Sequence, residues 1–123
     1  MSWFKNWFGR SSEKPSADTL SDGHRALLET VESIIGVLED DDEQHWMSYM
    51  NEVRALLLRG DRRAVKKLLG AYGGMGSFND LVLGHRVVDG ETVVRDDMAA
   101  LNDRLDGLRT SAWTQAKELA GDR

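Results

Sequence analysis

The chain has 123 residues with twelve glycines, one proline and no cysteine, and its side chains are 41% apolar and 30% charged. That length supports one hydrophobic core, and the composition is that of a globular chain, not a disordered or collagen-like one. The lack of cysteine excludes disulfides, thiolate nucleophiles and thiolate zinc ligands, and a net charge of −5 weighs against nucleic acid as a partner. No run approaches the ~20 apolar residues of a membrane span, and no apolar stretch of signal-peptide type opens the chain, so a cytoplasmic protein without a transmembrane segment is expected.

Residues 1–17 differ from the rest. Trp3, Phe4, Trp7 and Phe8 lie among Lys5 and Arg10, followed by the polar run from Ser11 to Ser16. The reading is an aromatic, basic head on a flexible linker, with a single domain over residues 18–123. The rings recur at i and i+4, so a helical head would carry them on one side with its cations beside them. That is the layout of a small interfacial anchor, and weak membrane contact through residues 1–10, at the inner membrane face, is one expectation. The other is that the rings pack on the domain.

From Leu20 the apolar residues Leu27, Leu28, Val31, Ile34, Ile35 and Leu38 fall at helical spacing, with Ser21 or Asp22 as the cap. A second helix carries Trp46, Tyr49, Met50, Val53, Leu56 and Leu57. The acidic run from Glu39 to Glu43 sits where carboxylates favour a helix start, and Gly60 where the helix should stop. These two helices should pair as an antiparallel hairpin. A short third helix follows Asp61 through Val65, Leu68 and Leu69. Later, Asp89-Gly90 between Val87-Val88 and Thr92-Val93-Val94 is a strong hairpin signal, and two strands alone are marginal, so this hairpin should lean on the helices. A last helix starts near Asp96 or Asp97 and places Met98, Leu101, Leu105, Leu108, Ala112, Trp113, Ala116 and Leu119 on one face. The expected fold is mainly α: three longer helices and one short helix in a small bundle, with a β-hairpin before the last.

The least generic stretch is the loop Gly73, Gly74, Met75, Gly76, Ser77, Phe78, Asn79, Asp80. Its glycines call for positive φ or close approach by another group. Structurally, Gly70 or Gly73 would end the third helix as a left-handed cap, and Ser77 with Asp80 would start a new turn as a capping box. Functionally, the amides of Gly74, Gly76 and Ser77 could cradle an anion. The Walker spacing is absent and the glycines follow a helix, which disfavours a nucleotide site. Loop residues Gly74, Met75, Gly76, Ser77, Phe78, Asn79 and Asp80 are therefore the candidate contacts for a protein partner.

Residues 69–81, with Leu101-Asn102 and Trp113 later on, resemble an uncharacterised family of small bacterial proteins sharing a GGMGSxND signature. Some members of that kind resemble immunity proteins of contact-dependent or polymorphic toxin systems. The similarity spans roughly residues 27–119 and leaves out the head. It implies a protein partner and carries no established activity.

Chemistry finds little support in the sequence. His24, His45 and His85 lack metal-ligand spacing, Ser77 lacks the nucleophile-elbow context, and a Ser77, Asp80, His85 triad rests on sequence proximity alone. Arg54, Arg59, Arg62, Arg63, Lys66 and Lys67 cluster at the end of the second helix and along the third, where Arg59, Arg62 and Lys66 would share a basic face, solvated by default or turned to an acidic partner or nucleic acid. The acidic run at 39–43, read as a solvated cluster, could meet a basic surface. No catalytic residue, metal or cofactor is assigned. The expected function is a non-catalytic interaction domain, an immunity-like inhibitor of a bacterial toxin among the candidates. The alternatives are a membrane-surface adaptor using Trp3, Phe4, Trp7 and Phe8, or a small phosphate-binding or enzymatic protein.

Overall fold

The structure is a computed structural model that describes residues 20–73 and 76–121. Its elements are α1 (Asp22–Asp40), α2 (Gln44–Leu58), α3 (Arg63–Gly70), a 3-10 turn (Phe78–Asp80), strands β1 (His85–Val88) and β2 (Glu91–Val94), and α4 (Met98–Gly121). This is the expected mainly α bundle with a hairpin before the last helix. The aromatic head and the loop residues Gly74 and Met75 lie outside the described residues.

The helix ends follow from local chemistry. Ser21 caps α1, its hydroxyl accepting the His24 N–H. At the other end Asp42 adopts φ +55, Asp42 N–H donates to Glu39 O, and Glu43 N–H reaches back to Leu38 O. That is the Schellman pattern, with an aspartate in the left-handed position that glycine more often fills. Gly60, at φ +70, ends α2 in the same way: Gly60 N–H donates to Leu57 O and Asp61 N–H to Leu56 O. Asp61 then accepts the Arg63 N–H at 2.9 Å and so serves the start of α3.

α1 packs against α2 and α4, and α3 bridges α2 and α4, so the four helices close a ring around one core. Leu27, Val31, Ile34 and Leu38 of α1 meet Met50, Val53 and Leu57 of α2 and Leu105, Ala112 and Ala116 of α4, all buried. The alanines of α4 let the backbones approach closely where leucines would hold them apart. Trp113, expected on the inner face, is instead 43% exposed, and the buried position at that level belongs to Arg109. The reason is angular: at 100° per residue Ala112 and Ala116 centre the buried stripe, and Trp113 falls at its border.

The hairpin corrects a second expectation. Its turn is as read: Asp89 (φ +53) and Gly90 (φ +82) form the left-handed pair of a type I′ turn, and Val88 pairs with Glu91. Yet all eight strand residues are exposed, with Val87 at 70%. It does not lean on the helices but projects from them, anchored at its base. There Gly84 N–H donates to the Asp41 carboxylate at 3.2 Å, and Arg95 N–H donates to Gly84 O at 2.7 Å. The Arg95 guanidinium spans Asp97, the Asp40 carbonyl and the Asp40 and Asp41 carboxylates. Hydrogen bonding to Asp97, followed by the charges of Asp97 and Asp40, holds Arg95 above its ordinary pKa. The acidic run is thus partly consumed as a tether, with the Asp41 side chain only 11% exposed, while Glu39, Asp40 and Asp42 stay exposed as expected.

Gly84 carries a steric demand at this base. It sits at φ +88, and a Cβ there would lie 2.9 Å from Met98 Cγ and 3.2 Å from Met98 Cα. Gly84→Ala is therefore expected to destabilise the chain by about 1–3 kcal/mol, the cost of strained backbone and crowding. Urea denaturation of both proteins checks this, and a midpoint unchanged by the substitution would refute the close approach.

Candidate functional site

The glycine loop is built around Phe78, which is fully buried. Its ring meets Tyr72 edge-on at 5.9 Å and Trp46 at 5.3 Å, and Trp46 continues to Tyr49 at 5.2 Å. Phe78 is therefore a plug that seats the loop on the bundle and not a contact offered to a partner. Around it Phe78 N–H donates to Ala71 O at 2.9 Å and Leu81 N–H to Phe78 O at 3.2 Å, and the carbonyls still need side-chain partners. Arg109 supplies them: its guanidinium donates to Phe78 O at 2.8 Å and Leu81 O at 2.9 Å, and pairs with Asp106. Asn102 grips the next residue outward, accepting the Leu83 N–H and donating to Leu83 O, both at 2.8 Å.

The turn itself differs in detail from the capping box. Ser77 Oγ accepts the Asn79 N–H at 3.3 Å, and Asp80 reaches back to accept the Gly76 N–H at 2.9 Å. Gly76 at φ +78 supplies the left-handed residue, whereas Gly70 and Gly73 do not. The anion position at the Gly76 amide is filled by the chain's own carboxylate, which removes the main support for phosphate cradling. No hydrogen bond joins Ser77, Asp80 and His85 among the described residues, so the drawn triad is not assembled.

What the loop does form is one wall of a groove of about 800 Å³. Gly76, Ser77 and Asp80 face Asp41 at the end of α1 and Glu43 and Trp46 at the start of α2, and His85, Thr92 and Val94 come from one face of the hairpin. A second groove, about 540 Å³, runs along α4 past Asp96, Asp103 and Asp106. The two share Leu81, Val82, Val94 and Met98. The two meet along these apolar residues, and we call them together the trough, with carboxylates on both sides of the shared apolar lining. Its cations are neutralised from within: Arg95 by Asp97 and Asp40, and Arg109 by Asp106. Asp96 and Asp103 have no ion-pair partner among the described residues, and Val82 and Val94 are about half exposed.

Of the candidate contacts, Gly76, Ser77 and Asp80 line the trough. Asn79 points to the other side, where with Tyr72, Thr110 and Trp113 it lines a smaller pocket. The basic face is largely spoken for. Arg54 pairs with Glu32, Lys67 with Glu52, and Arg59 and Arg63 with Asp61. The hydrogen bonds from Arg63 hold the Asp61 carboxyl well below the usual range. Arg62 and Lys66 line a separate groove at the far end of the bundle. No three His, Asp or Glu converge as metal ligands among the described residues.

The Arg109 bonds lead to a stability expectation. Arg109→Ala should cost roughly 2–4 kcal/mol, because it strands the Leu81 carbonyl, leaves Phe78 O with only the Leu81 N–H, and opens a void. Asp103→Asn, on the exposed bank, should stay within about 0.5 kcal/mol. Denaturant titration distinguishes the two, and an equal small effect would show that Arg109 does not hold the loop.

Tyr72, whose hydroxyl donates to Arg109 O at 2.7 Å, gives a pH expectation. Burial pushes its phenol up, opposed in part by the charge of Arg109. Between the ordinary value near ~10 and the raised one, the folded chain holds a proton that the unfolded chain has lost. Stability from this group is thus present below that pH and falls as pH rises through it. Denaturation from pH 8 to 11 should show the loss in the parent and a shallower one in Tyr72→Phe, and equal slopes would contradict it.

Residues 39–89 match a family model described as a domain of unknown function (DUF6966). The matched stretch takes in the end of α1, α2, α3, the glycine loop and β1, and is narrower than the resemblance read from the sequence. No curated protein matches the chain, and no solved structure does. Over those residues the chain is similar to an uncharacterised family, and the trough lies partly within and partly beyond them.

Proposed function

We propose that this chain is a non-catalytic protein-interaction domain whose working surface is the acidic trough together with the projecting hairpin. The observation that carries this is the pairing of an apolar floor, Leu81, Val82, Val94 and Met98, with carboxylates on both banks. Exposed apolar area rimmed by charge marks contact surfaces on small domains. The hairpin adds two open strand edges, and Val87, Val88 and Val93 are each 45% exposed or more. Such edges are templates for pairing with another chain.

The sign of the trough selects a basic partner surface. Enzymes that cleave nucleic acid carry such surfaces, and an acidic plug over one would block substrate and associate fast. This supports an immunity-like inhibitor of a bacterial toxin, acting in the cytoplasm, as the specific form of the reading. The membrane-adaptor alternative rests on head residues outside the described structure. Among the described residues, no helix is long and apolar enough to cross a membrane.

Co-expression with the product of the adjacent gene tests the proposal. The parent chain should protect cells from that product, and Asp96→Lys/Asp103→Lys should lose most of the protection while melting like the parent. No protection by the parent would sink the immunity reading. Protection untouched by charge reversal would remove the trough from it.

A further inference from the structure

We propose that in the free chain the trough is occupied by the chain's own aromatic head, residues 1–10. No toxin or other partner is needed for this contact, which goes beyond the partner reading. The chemistry matches on both counts. The head carries Trp3, Phe4, Trp7 and Phe8 with Lys5 and Arg10 and no carboxylate side chain. The trough offers Leu81, Val82, Val94 and Met98 as a floor, with Asp80, Asp96 and Asp103 beside it. Flat rings cover apolar floor while the cations reach the banks, the division of labour that amphipathic segments use.

The other end of the bundle is nearer in sequence, and its charge argues against it. The groove there, about 480 Å³, is lined by His24, Arg62, Lys66, Val65, Leu69 and Leu119, with no carboxylate. A head with two cations is repelled from that surface and drawn to the opposite one.

Reach is sufficient. The trough lies at the C-terminal end of α1, whose 19 residues span roughly 28 Å. Residues 9–19 can extend to about 37 Å, enough to carry the rings from Leu20 back along the bundle. Occupation by the head would also shield the valines of the floor and place a competitor in front of any basic partner.

Photocrosslinking in the full chain tests this, with benzoylphenylalanine replacing Trp7 and, separately, Phe4. The expected links run within one chain to Leu81, Val82, Val94 or Met98, with a yield independent of protein concentration. Asp96→Lys/Asp103→Lys should lower that yield roughly tenfold, since two attractions become repulsions. Molar salt should lower it in the unsubstituted chain as well, which removes any question of misfolding. Links to Val65, Leu69 or Leu119, links between chains, no links, or a yield indifferent to both charge reversal and salt would each overturn the proposal. Cell protection reads the partner reading separately, so either can fail alone.

Discussion

A guanidinium inside the bundle and an amide beside it decide where the irregular part of this chain can lie. Residues 76–84 contain one 3-10 turn and no strand or α-helix, so beyond the bonds of that turn and the one from Phe78 N–H to Ala71 O their backbone groups need side-chain partners. Arg109 and Asn102 of α4 take that role, holding the carbonyls of Phe78 and Leu81 and both backbone groups of Leu83. A buried arginine is costly to desolvate, and here its hydrogen bonds and its pairing with Asp106 offset the cost. Without it, the loop between Phe78 and Asn102's hold on Leu83 would lose its middle anchor.

The trough and the base of the hairpin are positioned from that point outward. Leu81 and Val82 become the floor because the residues on either side are fixed, and Asn102 sets Leu83 one step before Gly84. Gly84 then turns the chain between Asp41 and Met98, where Arg95 closes the base of the hairpin. The hairpin gains no support from the helices along its length and keeps its edges open. Rigidity at the base and exposure at the tip suit an element that completes its sheet on another surface. The acid–base sense of the trough follows as well, since the arginines that build it are consumed in holding it.

Much of the fold was legible in the sequence. Helical spacing placed α1, α2 and α4, Ser21 and Gly60 marked helix ends, and Asp89-Gly90 gave the turn. What failed were inferences about tertiary partners. Period alone put Trp113 inside, because a ring looks like core until the width of the stripe is known. Arg109 was passed over because a charged residue in a helix reads as surface. Its position three residues before Ala112 and four after Leu105 was the available signal. The acidic run read as solvated because its partner, Arg95, lies more than fifty residues away. The loop stood out by its glycines, but no local pattern showed that Phe78 is its buried anchor or that Asp80 accepts from its Gly76 amide. The trough needed the hairpin and α4 to meet the loop, which no local pattern encodes.

Amide hydrogen exchange on the full chain reaches the central claim, that α4 side chains hold residues 76–84 as firmly as a regular element. The account predicts that the Leu83 and Phe78 amides exchange nearly as slowly as those of the α4 core, while Val87 and Thr92, at the outer edges of the hairpin, exchange quickly. Leu83 exchanging as fast as those edge amides would contradict it.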